Sequence, residues 1–400
     1  MILILSLSMP TKLIANNDGI DDDEEEEFEM QRRNPKVLPG AYQLSSYVPM
    51  LSNKRVGIVG NQTSMVGNTH LVDTLLKLNI NIVKVFSPEH GFRGIGDAGA
   101  LINDDVDSKT GLPVISLYGE KKKPTSQQLD SVDILVFDLQ DVGARFYTYI
   151  STLHYIMEAA AEKNIPVIVL DRPNPNGHII DGPVKKSGFE SFISMHPVPV
   201  LYGMTIGEYA KMINGEKWLK DSIQCNIEVI EIMNYRHKTP YSLPVSPSPN
   251  LKNDNSIVVY PSLCFFEGTI VSVGRGTDMP FEVYGHPDFT DEEFTFTPKS
   301  VVGATNPKLK DVVCRGMDLR DHDKSFKKLN LSYLLHARDV LHKIHGDAWI
   351  DRPRFFNLLA GNDQLAIQLN SFVSEEEIRD SWEADLKDFR KTRKKYLIYD

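Results

Sequence analysis

The chain reads as an α/β protein, a Rossmann-like and mostly parallel sheet domain followed by a smaller α+β domain. Short apolar runs alternate with amphipathic stretches of helical period, the βαβ rhythm that imposes parallel pairing. The early runs break off in polar residues: Val56 to Gly60 gives way to Asn61, Val83 to Phe86 to Glu89, Ile134 to Phe137 to Asp138, and Val167 to Leu170 to Asp171. In an open α/β sheet, ligands bind in the crevice outside the carboxyl ends of the strands, so parallel pairing would gather these tips on one rim. Past Phe281 the pattern changes to short β-like pieces mixed with helices.

Taken in order, folded structure is expected from Val37. Residues 55–60 form the first strand and 81–86 the second. Between them Thr69 caps a helix with Leu71, Val72, Leu75, Leu76 and Leu78 on its apolar face. Pro88 offers no donor and holds Ser87 extended, so the second strand stops there and Glu89-His90-Gly91 becomes a loop. Residues 91–111 are Gly- and Asp-rich and aperiodic, a length at which loops in compact domains are functional or disordered. Strands at 114–117, 133–137 and 166–170 follow, with a short helix opening at Pro124. A longer helix over 146–163 carries Ile150, Leu153, Ile156, Met157 and Ala160 on one stripe. Thr205 caps a helix that ends at Gly215. Residues 227–230, 257–260 and 269–273 read as strands. Later, Phe294–Phe296 and 312–315 are β-like, and helices cover 332–345 and 375–399. The division is 1–36 leader and acidic tail, 37–287 Rossmann-like domain, and 288–400 smaller α+β domain.

Four hundred residues bury a sizeable core. The formal charge of -10 is concentrated at the front: eight of the nine residues from Asp21 to Glu29 are acidic, and the remainder holds 46 acidic against 44 basic side chains. That balance excludes a nucleic-acid partner, and no apolar run is long enough to span a bilayer. Cys225, Cys264 and Cys314 are few and far apart, with neither a disulfide framework nor metal-knuckle spacing, and read as buried thiols. Residues 2–9 resemble the apolar core of a signal peptide without its basic flank. The acidic run behind them is a self-repelling tail outside any core.

The motifs narrow the chemistry by exclusion. G-x-S-x-G, H-E-x-x-H, the P-loop and C-x-x-C are absent. Gly94-Ile95-Gly96-Asp97-Ala98-Gly99 has the dinucleotide spacing but stands far from a strand end, with no helix behind it to meet a pyrophosphate. Glu89 is the sharpest candidate for acid–base work; its bland alternative is a loop carboxylate tying nearby N–H groups. Asp138 and Asp141 are the next, although an Asp at a strand end often only fixes a turn. Asp171 precedes Arg172 and can pair with it. Arg145-Phe146-Tyr147 offers a cation and aromatic faces, or plain packing. Arg275, set between Gly274 and Gly276, and Glu267 complete the set, with Asn61 and Asn174 as further polar tips.

These stretches together resemble the NamZ-type exo-β-N-acetylmuramidases, glycoside hydrolase family 171. The matching segments include Val59-Gly60-Asn61-Gln62-Thr63 and Phe86-Ser87-Pro88-Glu89-His90-Gly91-Phe92-Arg93-Gly94. They also include Ser116-Leu117-Tyr118-Gly119, Phe137-Asp138-Leu139-Gln140-Asp141-Val142-Gly143-Ala144-Arg145-Phe146-Tyr147-Thr148-Tyr149 and Leu170-Asp171-Arg172-Pro173-Asn174-Pro175. Further matches are Ser246-Pro247-Ser248-Pro249-Asn250-Leu251, Phe266-Glu267-Gly268-Thr269 and Ser272-Val273-Gly274-Arg275-Gly276-Thr277. The likeness runs from about Val37 to Asp400. It implies a cleft between the two domains, hydrolysis of the β-1,4 bond after a non-reducing-end N-acetylmuramic acid on peptidoglycan fragments, and export in bacteria, to the periplasm or beyond.

Glycoside hydrolysis needs a carboxylic acid for the leaving oxygen and a second carboxylate as base or nucleophile. The expectation is Glu89 as acid and Asp138 or Asp141 as partner, with Glu267 in reserve. Arg93, Arg145 or Arg275 would pair with the lactyl carboxylate, Tyr147 would stack on the ring, and His90 would orient Glu89 or bond a hydroxyl. No metal or organic cofactor is required. Two rivals remain at this point: a nicotinamide-dependent enzyme on the same sheet, and a non-catalytic binder of peptidoglycan fragments.

Overall fold

The computed structural model describes residues 36–89, 91–93, 105–119, 121–321 and 327–400. Its central sheet is made of the short apolar runs: β1 (Val56–Gly60), β2 (Ile82–Ser87), β3 (Pro113–Ser116), β4 (Ile134–Asp138), β5 (Val167–Leu170) and β6 (Ile227–Ile230). They pair in parallel in the order β6-β5-β4-β1-β2-β3. The edge of β3 carries the antiparallel piece Asp105–Val106. This is the doubly wound order, with the winding reversing between β1 and β4.

Side-chain alternation along the strands splits the core in two. Val56, Ile58, Val85, Val136 and Ile168 face α1 (Leu44–Leu51) and α2 (Leu71–Lys77), meeting Tyr47, Leu51, Val72 and Leu75. Val59, Phe86, Phe137 and Val169 face the other way, into the cluster that holds Leu153 and Met157 of α3 (Tyr149–Glu162) and Tyr209 and Ile213 of α4 (Ile206–Gly215).

That second cluster continues into the C-terminal half, so the two halves share one core. It takes in Phe265, Leu334, Trp349, Phe356 and Trp382. Here α5 (Asp254–Leu263) runs into a 3₁₀ turn, Cys264–Gly268. A small antiparallel sheet, order β7-β9-β8, is formed by β7 (Val283–His286), β8 (Phe294–Phe296) and β9 (Cys314–Asp318). Around it pack α6 (Ser332–His345), α7 (Pro353–Ala360), α8 (Gln364–Asn370) and α9 (Glu375–Arg393). No helix among the described residues is long and apolar enough to cross a membrane.

Several local expectations are corrected. Residues 257–260 are helical, not extended: Asn253 and Ser256 form a reciprocal capping box that starts α5, and this cap overrides the β-branched run behind it. Residues 269–273 form no strand beyond one bridge, Ser272 to Gly285. The N-cap of α2 is His70, which accepts the Val72 N–H, rather than Thr69. The long helix α3 begins at Tyr149, three residues later than the expected start at 146, and α9 ends at Arg393 rather than 399.

Candidate active site

The site forms where β2 and β3 end. Glu89 stands two residues beyond β2 and is only half-buried. Tyr118 stands two residues beyond β3, on the same rim, and its phenol hydrogen-bonds the Glu89 carboxylate. Burial and that neighbouring carboxylate raise the Tyr118 pKa, so the phenol keeps its proton and donates it to Glu89.

The facing walls come from later segments. The link between β4 and α3 supplies Phe146, Tyr147 and Thr148, the first residue of α3 is Tyr149, α5 supplies Tyr260, and the 3₁₀ turn supplies Glu267. Arg275 lies on the loop before β7. Together they enclose a cleft of about 620 Å³ that leads to an inner pocket of about 70 Å³, with Glu89, Thr148, Tyr260 and Arg275 on the walls of both. Arg275 Nε donates to Glu267 Oε1 at 2.7 Å, and its guanidinium lies 4.9 Å from the centre of the Phe281 ring. The inner pocket is held by phenols: Tyr147 donates to the Pro247 carbonyl at 2.7 Å, and Asn61 Nδ2 donates to the Tyr149 hydroxyl at 2.7 Å. Asn61 thus touches the site through Tyr149 rather than lining it.

The two expected partners of Glu89 are elsewhere. Asp138 is fully buried and takes two hydrogen bonds from the Arg172 guanidinium, at 2.6 and 2.9 Å. A carboxylate at an interior strand tip is retained by a cation, and the next strand provides one. Arg172 therefore pairs with Asp138, not with Asp171. Asp141 is buried beneath the tyrosines. Its Oδ2 accepts from the Tyr202 hydroxyl and from Gly143 N, while Oδ1 is buried with no hydrogen-bond partner among the described residues. Burial pushes its pKa up to about 7. Neither aspartate lines the cleft.

Other expected ligands are also framework. Arg145 is fully buried and gives its N–H groups to the carbonyls of Pro183, Val198 and Leu359, each at 2.7 Å. A guanidinium committed to three interior carbonyls is not available to a sugar carboxylate. Arg93 binds Asp107 at 2.8 Å and borders a different cavity, with His70 and Lys109. Asp171 accepts from Thr205, Gly207 and Tyr399 in the interior, and burial pushes its pKa up to about 7. Asn174 spans the Met204 carbonyl and Asn176 N. It also presses on Gly143, whose φ of +76° and lack of Cβ that contact requires. His90 and Gly94-Ile95-Gly96-Asp97-Ala98-Gly99 lie outside the described residues. Of the expected set, Glu89, Glu267 and Arg275 line the cleft, and Tyr147 lines the inner pocket. Tyr118, Lys122, Tyr260 and Asn250 were not anticipated; Tyr118 was discoverable, because it follows a strand end just as Glu89 does.

A doubly wound sheet with a strand-end carboxylate and a second carboxylate on the walls of one aromatic, polar cleft has the layout of an α/β glycosidase. Comparison with known proteins agrees. Models of the N-terminal and C-terminal parts of the exo-β-N-acetylmuramidase NamZ match residues 56–255 and 258–399. The chain is 40% identical over 391 residues to the peptidoglycan β-N-acetylmuramidase NamZ of Bacillus subtilis (strain 168), covering 92% of each. Crystal structures of two DUF1343 family proteins from Bacteroides fragilis NCTC 9343 superpose with TM-scores of 0.85 and 0.78, at 45% and 30% identity. Each covers 91% of this chain and 99% of its own. The chain belongs to the NamZ exo-β-N-acetylmuramidase family.

Proposed function

We propose that the protein removes N-acetylmuramic acid from the non-reducing end of peptidoglycan fragments, with Glu89 as general acid and Glu267 as the second carboxylate. The observation that supports this reading is the shared cleft: these two carboxylates stand on its walls, and Asp138 and Asp141 do not. Glu89 gives its proton to the glycosidic oxygen as the bond breaks, and Tyr118 holds the carboxyl in place through its phenol. Glu267, kept in line by Arg275, attacks the anomeric carbon or activates the water that does. The separation of the reacting oxygens in the complex decides which: about 5–5.5 Å gives retention and roughly 6.5–9.5 Å gives inversion. The tyrosine walls supply apolar faces and fixed hydroxyls for a sugar ring. Arg275 pairs with the lactyl carboxylate in this reading: it lines the cleft, whereas Arg145 is buried and Arg93 borders another cavity.

The test is turnover of a muramoyl-β-glycoside followed by proton NMR. Glu89→Gln is expected to lower kcat by about 10²–10⁴ while the melting temperature stays near that of the parent. Glu267→Gln is expected to do the same. Normal turnover by Glu89→Gln would overturn the assignment, and the first anomer seen with the parent enzyme reads the stereochemical course.

A further inference from the structure

A second cluster of ligand-type side chains lies outside the cleft. His286 ends β7, Asp288 follows it, and His345 occupies the last turn of α6. Their ligand atoms lie within 4.8 Å of one another. Asp288 Oδ2 is 2.7 Å from His345 Nε2 and 3.4 Å from His286 Nδ1. The longer contact is not an ordinary hydrogen bond. His286 Nδ1 also meets the backbone N–H of Asp288 at 3.3 Å, a long contact that this nitrogen would give up on binding a cation.

We propose that His286, Asp288 and His345 bind a divalent transition metal of the zinc class, which fastens the small antiparallel sheet to α6. Two imidazole nitrogens and one carboxylate oxygen suit zinc rather than magnesium or calcium, which prefer all-oxygen sets. Zinc bonds of about 2.0–2.2 Å in a tetrahedron set neighbouring donors roughly 3.3 Å apart. The Asp288–His286 separation of 3.4 Å already has that spacing. The Asp288–His345 pair at 2.7 Å must open, and side chains 38% and 32% exposed have room to do so. Water completes the coordination at this partly exposed site. Besides His345 itself, the opposing charge near His286 among the described residues is Lys308, whose ammonium is already held by the carbonyls of Phe266 and Thr269. The metal would act on the frame behind the cleft. Gly285, beside His286, bridges to Ser272 at the base of the Arg275 loop.

The test uses the full chain, stripped with a chelator and titrated with ZnCl₂ by calorimetry, with MgCl₂ as control, alongside thermal unfolding. One equivalent of zinc is expected to bind and to raise the melting temperature, and magnesium to do neither. His345→Gln changes a partly exposed side chain, so its metal-free melting temperature should stay near the parent's. Its zinc affinity should fall by more than about tenfold, since even loss of an outer-shell partner can cost that much. Absence of saturable uptake by the parent, or unchanged uptake by His345→Gln, overturns the proposal; the latter result would assign the zinc to other surface histidines.

Discussion

Three aspartates at strand tips show how identical chemistry is sorted by surroundings. Asp138 faces an arginine in the interior, so its contribution is to stability. Removing one partner of such a pair costs about 3–5 kcal/mol. Asp138→Ala is therefore expected to shift the urea midpoint sharply downward while the surviving folded fraction keeps its KM. Asp141 has the opposite sign. Its pKa is about 7 in the fold, against 3.8 for an ordinary aspartate. Between those values the native state keeps a proton that the unfolded chain has lost, so this group makes stability fall as pH rises from about 4 to 7. Asp141→Asn is neutral throughout and should flatten that part of the curve, read as urea midpoints at pH 5 and pH 7.5. Asp171, also raised to about 7, acts in the same direction and leaves a residual slope in that variant. The rim of polar tips was legible from the sequence because strand ends can be read from Pro, Gly and Asx punctuation. Which tip is solvated was not, since that depends on Arg172 and Tyr202, cations and phenols that arrive from other strands and loops.

At the level of elements, the sheet strands were readable because apolar runs between turn residues leave little choice, and their parallel pairing follows from the βαβ rhythm. The helix α5 was not. Ile257, Val258 and Val259 have the side chains of a strand, and only the Asn253–Ser256 box, four residues upstream, makes them helical. This cap has a measurable weight. Asn253→Ala should cost about 0.5–2 kcal/mol in chemical denaturation. Because Tyr260 rides on that helix, the same variant should raise KM for a muramoyl glycoside more than it lowers kcat. A strand in place of α5 would turn Tyr260 away from the pocket that it closes. Glu267 and Arg275 stood out in the sequence beside their glycines, and the 3₁₀ turn after α5 brings Glu267 to the wall of the cleft that Glu89 and Arg275 also line.

For the molecule as a whole, Arg145 is the central fastening. Its guanidinium joins the sheet half, through Pro183 and Val198, to α7 through Leu359. Replacing it by Met would strand three buried carbonyls, each worth about 1–3 kcal/mol. The expected outcome is loss of several kcal/mol, seen as a lowered midpoint of unfolding, with ligand affinity unchanged in what remains folded. A drop in affinity at unchanged stability would instead return Arg145 to the substrate. A second fastening runs the other way along the chain. Ile398 N and Tyr399 N donate to Glu208 Oε1 at 2.8 and 3.2 Å, and the Tyr399 hydroxyl donates to Asp171 Oδ2 at 2.7 Å. During synthesis, then, the segment that completes the polar contacts beneath β5 is made long after the sheet itself. A nascent chain halted after β6 would hold Asp171 with Thr205 and Gly207 but without the Tyr399 hydroxyl, and Glu208 without the Ile398 and Tyr399 N–H groups, so the polar network of the first half is completed only after translation has passed Tyr399.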